Sequence, residues 1–343
     1  MSLQGDVHHL FDSHIRLPLT RARPPRGRAA FHVQLRGFDA KPVVEAALTI
    51  VPDIPGPDPA PRAPAFKAPA LTCDAHCHIF GPVDRYPYAE RRPYTPPEAP
   101  LSTFQALHAR IGVERAVIVN ATPYGRDNAV MLDAIAQSGG RYRGIGNVDD
   151  RTTDDELEIL DSGGVDGCRF TFLSRLGGRP DMAAFDRIVR RIAPLGWHVD
   201  LYLPPALIDE LAPRLETLPV PYVIDHMGVV DASAGLEQPA FQTLLSLVER
   251  DEKCWVKITG PERISRTGPP FHDAIPFARA LVDAAPRRVL WGTDWPHPNV
   301  AYMPNDGDLM DLVPLYAPDD EHRRLLLVDN PARLFRFDHG RGR

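Results

Sequence analysis

The chain has 343 residues, a length that suits one large domain or two medium ones, with 43% hydrophobic and 24% charged residues. Its formal net charge of −6 leaves no basic surplus, which argues against binding driven by nucleic-acid phosphates. No apolar run approaches the roughly 18–20 residues that a membrane span requires. We therefore expect neither a nucleic-acid partner nor a membrane partner.

The N-terminus reads MSLQGDVHHLFDSHI, without the basic and then apolar pattern of a secretory signal. The four cysteines, Cys73, Cys77, Cys168 and Cys254, are scattered and show no CxxC spacing. This pattern indicates neither a zinc ribbon nor a disulfide framework, and it suits a reducing compartment. We predict a cytoplasmic protein.

Proline is unusually frequent, with 37 residues, and residues 52–69 (PDIPGPDPAPRAPAFKAP) carry one at nearly every second or third position. Such a run cannot continue a helix or donate regularly to a sheet, so it predicts an extended linker that acts as a plain tether. The residues before it include an arginine-rich stretch and too few apolar side chains for a core of their own. We predict an N-terminal extension over residues 1–70, one domain over 71–338 and a tail over 339–343.

From residue 71, short runs rich in β-branched and apolar residues alternate with helical patterns. The candidate strands are 71–80, 115–122, 141–149, 164–172, 196–203, 221–228, 254–260 and 288–296. Eight such strands predict an α/β fold, a (β/α)8 TIM-type barrel with a Pro-rich N-terminal extension. A doubly wound open sheet is the alternative, but no GxGxxG motif follows the first strand.

The distinctive polar residues fall at the carboxyl ends of the candidate strands, where barrel enzymes build their active sites. They are His76, His78, Thr122, Arg169, Tyr202, His226 and Asp294. This placement predicts that all seven meet at one face of the barrel.

Three of the strand ends carry groups suited to acid–base chemistry. His76 and His78 are two residues apart on a strand, so both should face the interior, where imidazoles can ligate a metal or polarise a carbonyl. Asp294 could cap a turn, but within this barrel we interpret it as a general base for water. His226 should join the two histidines, with Asp225 facing the other way.

The sequence segments around these residues show a family resemblance that extends over residues 72 to about 336. They are DAHCHIFGP, DNAVMLDAI, CRFTFLSRL, GWHVDLYL, PVPYVIDHMG, GPERISRTGPP and VLWGTDWPHPN. The sequence resembles the amidohydrolase superfamily, and within it the 2-pyrone-4,6-dicarboxylate lactonases. The resemblance implies a barrel hydrolase that opens a carboxylated lactone.

The sequence departs from the metal-dependent amidohydrolases at two strand ends. Those enzymes place a lysine or glutamate after strand four and a histidine after strand five, whereas this chain has Arg169 and Tyr202. His198 lies too early in strand five to coordinate, and an arginine would repel a cation. The lactonase resemblance also implies metal-free catalysis. We predict no required cofactor, with zinc at the HxH motif as the alternative.

The arginines indicate the substrate, because guanidinium groups bind carboxylates in a fork-like geometry. The resemblance implies that six residues contribute to substrate binding: Arg169, Arg175, Arg263, Tyr94, Tyr202 and Thr122. Asp200 shares a strand face with Tyr202, and pairing with His198 or Lys257 would satisfy it.

The predicted partner is therefore a small dicarboxylate lactone. Asp294 would deprotonate a water that attacks the lactone carbonyl, while His76, His78 and His226 stabilise the oxyanion. The expected reaction converts 2-pyrone-4,6-dicarboxylate to 4-oxalomesaconate in the catabolism of lignin-derived aromatics. Alternatives are a sulfomuconolactone hydrolase, a sugar-diacid lactone isomerase, a zinc-dependent decarboxylase, or a non-catalytic dicarboxylate-binding barrel. The sequence leaves the oligomeric state open.

Overall fold

The computed structural model describes residues 51–337, and the eight strands in this range form one parallel sheet whose order follows the chain. The strands are β1 (Cys73–Cys77), β2 (Arg115–Val119), β3 (Tyr142–Gly146), β4 (Val165–Thr171), β5 (His198–Tyr202), β6 (Tyr222–Ile224), β7 (Cys254–Ile258) and β8 (Val289–Trp291). Beyond β8, the amide of Asp294 donates to the carbonyl oxygen of His76 at 2.8 Å, which joins this end of the sheet to β1. The predicted (β/α)8 TIM-type barrel is confirmed.

Helices follow the strands and cover the outer face of the sheet. They are α1 (Leu101–Ile111), α2 (Ala129–Gln137), α3 (Asp154–Ser162), α4 (Met182–Ile192), α5 (Ile208–Leu215), α6 (Pro239–Arg250), α7 (Pro261–Ile264), α8 (Ile275–Ala284), α9 (Asp306–Asp311), α10 (Val313–Tyr316), α11 (Asp320–Arg324) and α12 (Asn330–Leu334). Helix α4 shows why these segments are helical. Phe185, Ile188, Val189 and Ile192 are its buried residues, and their spacing forms one apolar stripe. Asp181 caps its first turn by accepting from the amide of Ala183.

The inside of the barrel contains an apolar layer that is distinct from the shell between strands and helices. It consists of Cys73, Ala75, Val117, Val119, Ile145, Val223, Trp255, Leu290 and Phe335. Phe335, which follows α12, packs into this layer from outside the strands. The barrel is therefore filled by side chains rather than hollow, and polar chemistry is left to the strand ends.

Residues 51–70 are extended, as the prolines predicted, but they do not form a free tether. The amide of Ile54 donates to Thr95 O at 3.1 Å, and the amide of Phe66 donates to Asp311 Oδ1 at 2.8 Å. Arg62 forms ion pairs with Asp308 and Asp311. The tether prediction is wrong for this stretch because backbone and charged groups anchor it, and the compact unit begins at Val51. The rest of the predicted extension (1–50) and the tail (339–343) lie outside the described residues.

The four cysteines are free thiols and all are buried. Burial raises the pKa of each thiol, so they stay protonated and serve as small packing residues. Within residues 51–337, no helix has the length and apolar character to cross a bilayer.

Candidate active site

The carboxyl ends of the strands surround a narrow cavity. Nine of the ten predicted site residues line this cavity: His78, Tyr94, Thr122, Arg169, Arg175, Tyr202, His226, Arg263 and Asp294. The tenth, His76, is fully buried, and its Nε2 lies 3.7 Å from Asp294 Oδ1. The fold therefore brings all ten residues to one place.

Three imidazoles converge on the carboxylate of Asp294. His78 Nε2 lies 3.3 Å from Oδ1, and His226 Nδ1 lies 4.0 Å from Oδ2. His76 and His78 both approach this carboxylate, as their spacing on one strand predicted. Burial, reinforced by the charge of Lys257, lowers the pKa of His76 to about 4. Burial also lowers the pKa of His226 well below its ordinary value, so both rings are neutral at neutral pH.

His226 reaches the site because the chain turns after β6. The strand ends at Ile224, and His226 has a φ of +51°. The prediction that Asp225 faces away is wrong: its Oδ2 accepts from Arg169 Nε at 3.0 Å, and its Oδ1 lies 3.4 Å from His76 Nδ1. Strict alternation holds only for extended backbone, so a left-handed residue can place two successive side chains inside.

Asp294 follows β8 with a φ of +65°, and its carboxylate is fully buried. Its Oδ2 accepts a hydrogen bond from Arg263 Nε at 2.6 Å. Burial alone would favour the protonated acid, but the charge of Arg263 outweighs it and holds the pKa of Asp294 well below its usual range. The carboxylate is therefore ionised at neutral pH, and the bound guanidinium restrains its basicity.

Arg169 and Arg175 flank the ring of Tyr202 in the same cavity. Their guanidinium carbons lie 4.9 and 5.7 Å from its centroid, and Arg175 Nη2 donates to the Tyr202 hydroxyl at 2.9 Å. Arg169 is neutralised by Asp225, whereas Arg175 has no carboxylate within ion-pair distance among residues 51–337. This side of the cavity therefore presents one uncompensated positive charge to a ligand.

Beneath the cavity, Lys257 is fully buried near the carboxyl end of β7. Its ammonium contacts Asp200, lies 3.3 Å from Asp225 Oδ1 and lies 3.0 Å from His76 Nδ1. Asp200 also lies 3.3 Å from His198 Nε2, so both partners suggested by the sequence are present. The contact between Lys257 and His76 was not predicted. A lysine inside the apolar strand CWVKI was the available signal, because a buried ammonium needs partners.

A second polar cluster lies next to Arg263 and was missed by the sequence analysis. Glu262 is buried, and burial raises the pKa of its carboxyl to about 7. His297 Nδ1 lies 4.0 Å from Glu262 Oε1, and His297 Nε2 lies 3.2 Å from Asp306 Oδ1. Glu262 lies in the short helix α7, Asp306 begins α9, and His297 lies in the loop after β8, so no strand period indicates that these side chains turn inward.

Three donor atoms could in principle hold a metal ion: those of His76, His78 and Asp294 lie within 4.8 Å of one another. Two fixed cations contact this set, since Arg263 binds the carboxylate and Lys257 lies against His76. The ends of β4 and β5 supply Arg169 and Tyr202 instead of further ligands. The set therefore does not fit a divalent cation well, because a metal needs free lone pairs and an absence of adjacent positive charge.

Comparison with known proteins finds relatives that match most of the chain. The chain is 44% identical to the 4-sulfomuconolactone hydrolase of Hydrogenophaga intermedia over 295 residues, which cover 85% of this chain and 97% of that protein. It is 43% identical to the 2-pyrone-4,6-dicarboxylate hydrolase of Comamonas testosteroni over 284 residues, 80% of this chain and 93% of that protein.

The fold is shared with solved structures as well. A probable 2-pyrone-4,6-dicarboxylic acid hydrolase from Acinetobacter baumannii, with citric acid bound, superposes with a TM-score of 0.68 at 29% identity. The match covers 77% of this chain and 99% of that structure. The model of the amidohydrolase family matches residues 73–337. The chain therefore belongs to the amidohydrolase family.

Proposed function

We propose that this protein hydrolyses a lactone that carries two acidic groups, with 2-pyrone-4,6-dicarboxylate as substrate and 4-oxalomesaconate as product. The observation that carries the proposal is the single cavity in which a buried carboxylate, neutral imidazoles and three guanidinium groups meet. We further propose that it acts in the cytoplasm, on intermediates of aromatic catabolism, and without a metal ion.

In the proposed reaction, a water between Asp294 and the substrate gives its proton to the carboxylate as its oxygen attacks the lactone carbonyl. The tetrahedral intermediate collapses by breaking the ring carbon–oxygen bond, and the leaving oxygen takes the proton from Asp294, which restores the carboxylate. Imidazole N–H groups stabilise the oxyanion that develops on the carbonyl oxygen, where a preorganised donor is worth most. The buried positions of His76 and His226 suit that task.

In this proposal Arg263 has two roles, one towards Asp294 and one towards the substrate. Without substrate it binds Asp294 and restrains its basicity. A substrate carboxylate is a competing partner for the same guanidinium. When it binds, it draws charge away from Asp294, whose pKa then rises towards a value useful for a general base. Substrate binding and activation of the base would thus be coupled.

A sulfonated lactone is the second candidate, because relatives named for 4-sulfomuconolactone and for the pyrone match this chain almost equally well. A sulfonate is also a delocalised anion that an arginine can hold by several hydrogen bonds. Arg175, which lacks an acidic partner among the described residues, could bind either group. Pocket charge alone therefore does not discriminate between the two.

The test is to incubate the purified protein with 2-pyrone-4,6-dicarboxylate, 4-sulfomuconolactone, a sugar-diacid lactone and an uncharged lactone of similar size. Each assay is run before and after exhaustive chelation. We expect turnover of the pyrone to exceed that of the others, no turnover of the uncharged lactone, and full activity after chelation. Preferred hydrolysis of the sulfonated substrate would select the second candidate. Bound zinc whose removal abolishes activity, and whose return restores it, would contradict metal-free catalysis.

A further inference from the structure

We propose that Lys257 is a positioning residue that fixes the tautomer of His76, so that its proton lies on Nε2 and points to the reaction centre. The inference rests on the proposed lactone hydrolysis for its purpose, but it concerns a structural state that can be measured without substrate. It also explains why this HxH motif would not hold a metal ion.

The surroundings of the ammonium carry the argument. Lys257 Nζ is completely buried and has three neighbouring acceptors: Asp200 Oδ2, Asp225 Oδ1 and His76 Nδ1. An ammonium has three N–H donors and no acceptor. Its 3.0 Å contact with His76 Nδ1 therefore requires a lone pair on that nitrogen. The carboxylates of Asp200 and Asp225 outweigh the burial that would favour neutral lysine, so the pKa of Lys257 is raised and the group is charged.

The alternative tautomer would place the proton of His76 on Nδ1. There it would point towards the N–H groups of Lys257, with Asp225 Oδ1 as acceptor at 3.4 Å, beyond the usual range for an N–H···O bond. A donor facing a donor is unfavourable in a site without solvent. Because the pKa of His76 is lowered to about 4, the ring carries one proton at neutral pH, and that proton then belongs to Nε2.

The second histidine of the motif shows the opposite arrangement. His78 Nδ1 lies 2.7 Å from the carbonyl oxygen of Val119, an acceptor, so this nitrogen carries the proton. Its Nε2 lies 3.3 Å from Asp294 Oδ1, so the inward nitrogen of His78 faces the carboxylate. His76 would donate to the lactone carbonyl oxygen, while His78 would contact Asp294.

The paired tautomers also bear on metal binding. Ligation by an HxH motif needs a lone pair on the inward nitrogen of both rings. In the tautomer proposed here, the inward nitrogen of His76 offers none. Removing the ammonium should allow His76 to take the other tautomer, with Nδ1–H donating to Asp225, and should give its inward nitrogen a lone pair. A variant without Lys257 is therefore expected to gain affinity for zinc.

The tautomer can be tested by correlating ring protons with ring nitrogens in protein labelled with ¹⁵N-histidine, with His76→Gln identifying the His76 signals. We expect a protonated Nε2 and an unprotonated Nδ1 in the wild type. In Lys257→Met the proton should move to Nδ1. Lys253→Met is the matched control, because that ammonium binds the carbonyl oxygens of Glu216 and Leu218 and does not contact the cavity.

Lys257→Met leaves two buried carboxylates with one fewer cation, which lowers stability, so the double variant Asp200→Asn/Lys257→Met supplies a form of unchanged net charge. Zinc titration by calorimetry should show binding at least ten times tighter in either variant than in the wild type or Lys253→Met. A wild-type His76 protonated on Nδ1, or folded variants with an unchanged tautomer and unchanged zinc affinity, would overturn the inference. A protein that hydrolyses no lactone but shows the expected spectra would instead contradict the proposed function alone.

Discussion

The two sides of the active-site cavity hold their ionisable groups in different ways. On the side formed by β1, β6 and β8, His76, His226 and Asp294 are fully buried, and each has a pKa displaced from its ordinary value. On the side formed by β4 and β5, Arg175 is exposed at the cavity mouth, and its described hydrogen bond is to the Tyr202 hydroxyl. We therefore assign the hydrolytic step to the buried side with Asp294, and recognition of the substrate anion to the more exposed side with Arg175.

Because the two sides differ in this way, turnover and substrate binding should be separable by mutation. Buried groups act through a fixed geometry in a medium where charge is weakly screened. An exposed arginine such as Arg175 contributes attraction that solvent and salt can partly replace. Variants of the first side should therefore change kcat, and variants of the second side should change affinity.

The largest effect is expected for Asp294→Asn, which keeps the shape of the side chain and removes its basicity. Turnover should fall by roughly 10²–10⁴-fold, the usual contribution of a positioned general base. Substrate affinity measured by calorimetry should stay the same or increase, since Arg263 loses a competing carboxylate. Asp231→Asn, at an exposed ion pair with Arg266, is the control. Turnover close to the wild-type value in Asp294→Asn would show that another group activates the water.

The next effect concerns stability and pH. Between pH 6.5 and about 4, His76 binds a proton in the unfolded chain but not in the folded protein. The stability that comes from keeping His76 neutral is therefore fully present above pH 6.5 and is lost as the pH falls. A shift from 6.5 to about 4 corresponds to about 3 kcal/mol. We therefore compare the free energy of unfolding in urea at pH 6.5 and at about pH 4. Its decrease between these two pH values should be smaller in His76→Gln than in the wild type, by about 3 kcal/mol.

The comparison with a variant is necessary because Glu262 acts in the opposite sense. The pKa of Glu262 is raised to about 7 in the folded protein. The stability that comes from its protonated carboxyl is therefore fully present below the pKa of the unfolded chain and is lost as the pH rises towards 7. That effect is common to both proteins and cancels in the difference. Parallel stability curves for the wild type and His76→Gln would indicate that His76 is protonated in the folded state.

The smallest effect is expected on the binding side. Arg175→Met should weaken substrate binding by roughly ten- to a hundred-fold, because a charged hydrogen bond contributes about 1.5–3 kcal/mol. The loss should shrink at high salt, and kcat should change less than Kd. Arg190→Met, at an exposed position on α4, is the matched control. If Arg175→Met instead lowered kcat by ten- to a hundred-fold and left Kd unchanged, Arg175 would act in the chemical step. The two sides of the cavity would then not differ in function.

Sequence patterns were sufficient to predict the barrel and most of the residues that line the cavity. Period-two alternation fixes the direction of side chains along a strand, and parallel strands bring their carboxyl ends to one face. These two rules were enough to bring together residues as distant in the chain as His76 and Asp294. Alternation applies to His76, which lies in β1, whereas Asp294 lies beyond β8 with a φ of +65° and was placed by its position at the strand end alone.

Tertiary structure alone decided the rest, and the reason is local geometry. Asp225 turns inward because His226 leaves the extended region, and no period describes a left-handed residue. The contact of Lys257 with His76 joins two strands, and its partner could not be chosen from burial alone. Residues 51–70 likewise dock through single contacts such as the ion pair between Arg62 and Asp311. Composition predicts an extended chain there, but only the surface it meets determines whether it stays free.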